Sequence, residues 1–323
     1  MERLEDRTLP SSYTAASVSD LIADINAANK HGGSNTITLA ANTPFTLTAV
    51  DNTADGATGL PVIKNGDNLT ILGNADTLER STASGTPAFR LLDVASGGAL
   101  TLQNLTLQNG LAFGSGTAAE GGAVHNQGTL VLNGATVQGN VAQGSNGAPG
   151  KKGHLNGGAG QDAAGGGVWS NGVLTVENGT AVQSNEAIGG AGGSANLDPG
   201  VGGIGGTGFG GGVYVAGGTV NLTSASLSSN TARGGFGGGG MANGADGACF
   251  GGGMYVASGI VSLRSATVTS NTAHSCQFSN GGYGGGLYIA AGATVYLDAF
   301  TLANTSNNTA DFYPDIDGSY ILQ

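Results

Sequence analysis

Two cysteines in 323 residues, Cys249 and Cys276, are too few for a disulfide framework, and they do not have the spacing of a metal-binding knuckle. Charged residues make up only 10% of the chain. Lys+Arg number 10 against 21 Asp+Glu, a net charge of -11 that repels phosphate backbones and anionic headgroups. The expectation is no nucleic-acid partner and no membrane binding or insertion. No run approaches the roughly 18 apolar residues of a transmembrane helix. The opening residues MERLEDRTLPSS are charged and form no signal-peptide core, so export would need a leader that these residues do not supply. Aromatic residues stand at 6%, yet hydrophobic content of 39%, recurring in order, argues against simple disorder.

Glycine is what the chain has in excess. Of 63 glycines, 7 lie in residues 1–96 and 56 in 97–323, so the bias marks a region. In residues 17–30, SVSDLIADINAANK, Val18, Leu21, Ile22 and Ile25 share a helical face behind a capping Ser17, which predicts one short helix. Short alternating runs such as FTLT and LTIL follow, read as strands, with no second convincing helix.

From Gly97 the chain repeats: GGAVHNQGTLVLNGATVQGNVA from Gly121, GGGVWSNGVLTVENGTAVQSNEA from Gly165, GGGVYVAGGTVNLTSASLSSNTA from Gly210, then further copies from Gly251 and Gly284. A degenerate copy occupies 89–110. Three strand patterns per unit predict one turn of a right-handed parallel β-helix, an all-β solenoid. Val124, Val168, Val213, Met254 and Leu287 form one inward slot, and Leu132, Val176, Leu222, Leu263 and Leu297 another. Asn140, Asn185, Asn230 and Asn271 share a turn slot, where stacked amides form a structural ladder and tolerate left-handed backbone angles. Inserts at 143–164, 188–209, 233–250 and 274–283 separate the units. In the first three, glycine recurs every third residue, the period of a polyproline-II helix, which predicts glycine-rich arms stacked beside the solenoid. The organisation expected is a leader segment (1–16), a capping helix with first coils (17–96), the repeat region (97–310) and a tail (311–323).

The GGAV at 121–124 and the later VQGN, VQSN, LSSN and VTSN resemble the paired GGA(I/L/V) and FxxN motifs of chlamydial polymorphic outer-membrane protein repeats, with Val or Leu in place of Phe. The segment SDLIADINAANKHGGSNTITLAANTPFTLT and the ending PDIDGSY resemble secreted bacterial right-handed β-helix repeat proteins. LEDRTLPS at 4–11 is similar to an N-terminal motif of exported planctomycete-like proteins. These likenesses imply a β-helix and an extracellular or cell-surface location, and no particular reaction.

β-Helices also carry polysaccharide lyases and hydrolases, whose sites need clustered carboxylates. The repeats contribute only isolated charges, among them His125, Glu177, Arg264 and Asp298, and no slot repeats an acid across adjacent coils, so no enzyme and no cofactor is expected. His31, His125, His154 and His274 are scattered and read as exposed polar residues, not metal ligands. Asp315 and Asp317 offer only a weak Ca²⁺ candidate in an incomplete D-x-D-G turn. Stacked inserts would bring Cys249 and Cys276 within disulfide reach, two thiols being the alternative. Trp169, Tyr214, Tyr255 and Tyr288, one per coil, form an outward ladder: a glycan-binding strip, or a structural column covered by the arms. The leading expectation is a non-catalytic structural protein that stacks head to tail with itself, with adhesion to surface glycans as the alternative.

Overall fold

The computed structural model describes residues 10–42, 44–114, 118–152, 154–196, 199–274 and 281–323. They form a right-handed parallel β-helix, because a rung too thin to bury its own apolar face gains a core by stacking on its neighbours. Three walls enclose that core. The first has ten strands, from Ser11–Ala15 to Ile321–Leu322; the second eight, from Phe45–Leu47 to Thr305–Ser306; the third seven, from Leu92–Val94 to Ile316–Asp317. Both predicted inward slots run in register through adjacent rungs and are buried.

Each full coil has five strands where three were expected. An outgoing sheet of six strands follows the second wall, and a returning sheet of five precedes the third. Strands of two or three residues, such as Val141–Gln143 and Ala163–Ala164, are too short to show an alternation. These two sheets face each other across a seam of alanine, including Ala119, Ala142, Ala163 and Ala187. Where they pinch together, Gly122, Gly166, Gly211, Gly252 and Gly285 press on the neighbouring backbone, and a Cβ at any of them would collide with a carbonyl or backbone carbon.

The Asn ladder is a continuous buried hydrogen-bond chain. Nδ2 of Asn140, Asn185, Asn230 and Asn271 each donates to Oδ1 of the next rung's amide at 2.9–3.0 Å, ending on Asn308 and then on Asp315. Each also donates to a carbonyl of the preceding rung, such as Val137 O for Asn185. The left-handed residue of this turn is the one before the amide, Gly139, Ser184, Ser229 or Ser270, and not the Asn itself as expected. Successive partners are 45, 45, 41 and 37 residues apart, so the ladder holds register while insert length changes.

Helix α1 (Val18–His31) closes one end, with Ser17 Oγ accepting from Asp20 N and Leu21, Ile25 and Ala28 buried on the first rungs. The segment expected as a leader already enters the first wall at Ser11. A second helix that periodicity missed, α2 (Ala299–Ala303), is a single turn capped by Asp298. Residues 311–323, expected as a tail, supply strands to the third and first walls.

The arms are ordered as a blade two chains thick. Outgoing segments 144–150, 189–196 and 234–240 lie side by side, with Gly144, Gly147 and Gly150 donating to Ile188, Ala191 and Ser194. Returning segments do the same: Gly157, Gly160 and Ala163 donate to Val201, Ile204 and Thr207. Between the two layers Gly190 and Gly193 donate to Gln161 and Gly158, and Gly203 and Gly206 donate back to Gly193 and Gly190. The three-residue period is that of a threefold extended helix, and glycine is required because a Cβ on Gly193 or Gly203 would overlap a neighbouring carbonyl.

Asn185→Ala strands the Asn140 donors and Val137 O in a dry interior. The expected loss is about 3 kcal/mol in urea unfolding. Gln183→Ala, at a half-buried position two residues earlier, is expected to cost less than about 1 kcal/mol.

Candidate functional site

Two aromatic columns meet at the corner between the third wall and the returning sheet. Parallel register stacks Asp93, His125, Trp169, Tyr214, Tyr255, Tyr288 and Asp317 in one outward-facing slot. His125 lies 4.5 Å from Trp169, and the tyrosine centroids are 5.1–5.2 Å apart with interplanar angles of 2–3°. The second column, absent from the sequence reading, is the residue just before each glycine corner: Glu120, Ala164, Phe209, Phe250, Tyr283, then Phe312. Its rings meet the first column edge to face, Phe209 on Tyr255 at 5.0 Å and Phe250 on Tyr288 at 4.9 Å.

This packing decides what the ladder offers. The faces of Tyr214, Tyr255 and Tyr288 are turned to one another, so a sugar ring arriving from solvent meets edges and hydroxyls. The four ladder rings are half-buried. Burial first, then the neighbouring phenols, pushes the Tyr255 hydroxyl up to about 12, and burial likewise raises Tyr214 and Tyr288.

At the foot of the column sits a charged cluster. His125, expected as a scattered exposed residue, is 3% exposed, with Nδ1 3.0 Å from Asp93 Oδ1 and Nε2 3.7 Å from Glu120 Oε2. Burial alone would lower the imidazole pKa; the Asp93 and Glu120 carboxylates outweigh it, and the net direction is upward. Asp93 is fully buried and its Oδ2 has no hydrogen-bond partner among the described residues. Arg90, also buried, donates from Nη1 to Asp55 O at 2.6 Å, while its Nε is unpartnered. Oxygen or nitrogen atoms of Asp55, Asp93 and His125 all lie within 4.8 Å of one another. Setting LDV at 92–94 beneath VHN at 124–126 puts Asp93 directly below His125, one carboxylate and one imidazole on adjacent coils, a pairing that the scattered histidines of the sequence did not reveal.

Asp315 terminates the amide ladder and Asp317 continues the aromatic slot, so each of the two proposed Ca²⁺ carboxylates has a place in a column. Cys249 is buried in the alanine seam, and Cys276 lies outside the described residues. His154 is exposed beside the hairpin tip where it exchanges backbone bonds with Lys151, and His31 bonds its own helix end. Comparison with protein-family models, curated proteins and solved structures found no match to this chain.

Because folding raises the ladder phenols above their ordinary value of 10.0, their contribution to stability is complete below pH 10 and declines as pH rises towards about 12. Tyr255→Phe is expected to flatten that decline and to remove the latest-ionising phenolate from the ultraviolet titration. A native titration in which every phenol ionises near 10 would contradict the packed column.

Proposed function

We propose that the protein is a non-catalytic structural protein of the cell surface or extracellular space, with the polyglycine blade as its contact element and the β-helix as rigid support. The observation that carries this reading is the outer face of the returning arms. Residues 201, 204 and 207 share one azimuth of a threefold helix, flanked in hydrogen-bond register by 156, 159 and 162 and by 242, 245 and 248. On that face Val201 is 42% and Ile204 57% exposed, and Asp162 is the only ionisable residue of the nine, in a chain of net charge -11. A flat, nearly uncharged, apolar face on an acidic protein fits lateral contact with a second copy.

Surface location rests on the repeat-motif resemblance. Head-to-tail stacking through Ile321 and Leu322 requires that rung to stay uncovered, whereas lateral contact through the blade does not depend on it. Glycan binding has less support because the ladder faces are occupied by one another. Catalysis on a polymer has less still, since Asp93 and His125 are enclosed.

Ile204→Asp projects a charge from the blade into solvent without touching its interior. In sedimentation across a concentration series the native chain is expected to associate and the variant to remain monomeric, with electron microscopy showing lateral assemblies only for the former. A native chain that stays monomeric throughout would overturn the proposal.

A further inference from the structure

We propose that Asp55, Asp93 and His125 bind one divalent first-row cation of the Zn²⁺ type, with Glu120 as the adjoining carboxylate. This does not depend on the blade reading, since all four residues belong to the β-helix and none to the blade.

Three observations converge on the same point. The first is geometric. One donor atom from each of the three residues lies within 4.8 Å of the others, and the His125–Asp93 pair is at 3.0 Å. Ligands about 2.0–2.1 Å from a tetrahedral cation stand roughly 3.3 Å apart, so small side-chain rotations complete the set. The second is a deficit. Asp93 is 0% exposed, yet its Oδ2 has no partner among the described residues, and an unsatisfied buried carboxylate oxygen is costly. An Asp93–histidinium pair would leave that oxygen unsatisfied; a cation would occupy it. The third is charge. Asp55, Asp93 and Glu120 against Arg90 leave two negative charges with a neutral imidazole, which one divalent ion cancels.

The donor set of one imidazole and two carboxylates selects the class. Imidazole favours Zn²⁺ and its neighbours over Ca²⁺ or Mg²⁺, which prefer all-oxygen sites. Asp55 is exposed, giving the ion a route in, and Arg90 Nη1 holds the Asp55 carbonyl at 2.6 Å, fixing the ligand's backbone from behind. Bound there, the ion ties the 51–58 loop to the third wall beneath Trp169.

The test is calorimetric titration of the full chain, stripped with chelator, with Zn²⁺ alone and with Ca²⁺ as the hard-ion comparison. One Zn²⁺ per chain is expected, with a raised melting temperature and a change in fluorescence of Trp169, the sole tryptophan, which stacks on His125. Asp93→Asn and Asp55→Asn should each weaken binding by about tenfold or more. Asp55 is on the surface, so that variant decides the matter if Asp93→Asn does not fold. Absence of saturable Zn²⁺ binding would overturn the proposal. So would binding that Asp55→Asn leaves unchanged, which would place the ion on surface histidines such as His154, and so would tighter binding of Ca²⁺ than of Zn²⁺.

Discussion

Backbone-to-backbone contact at glycine is the constraint on which the whole molecule depends. At the corners, Gly122, Gly166, Gly211, Gly252 and Gly285 let the outgoing and returning sheets pinch to an alanine-filled seam. Beyond the seam the same closeness continues into the blade, where Gly193, Gly203 and Gly238 lie against the carbonyls of Ala148, Gly158 and Gly193. A side chain at these positions would force the layers apart and break the period-three bonds together.

Such a blade has no hydrophobic interior to offset the ordering of its glycines, a cost of about 1–2 kcal/mol per residue. Its anchor is the β-helix, where aliphatic slots and the Asn ladder hold every rung in register. Because each arm leaves and re-enters at fixed positions, arms of neighbouring coils are delivered side by side, and their hydrogen bonds close at little further entropic cost. The blade is therefore an extension of the solenoid's register, and its outer faces are left to carry whichever residues the surface requires.

Much of this was legible because repetition exposes it. The inward slots of Val124 and Leu132, the Asn140 ladder and the three-residue glycine phase all recur at fixed offsets, and each lies where the repeat implies. What did not repeat was harder to see. Asp93 belongs to the degenerate copy, and His125 is the only histidine of its slot, so their pairing appears only when LDV is set beneath VHN. Glu120, Phe209 and Phe250 share a slot, but two-residue strands have no alternation to announce it. The turn of α2 is too short for helical periodicity and owes its place to the Asp298 cap.

If the blade is held by its own hydrogen bonds and not merely tethered, its amides should exchange slowly. Hydrogen exchange resolved to single residues tests this directly on Gly147, Gly160, Gly192 and Gly205, each of which donates to a neighbouring arm. The account predicts protection approaching that of the β-helix walls. Exchange at the rate of unstructured glycine in these arms, with the walls still protected, would contradict it.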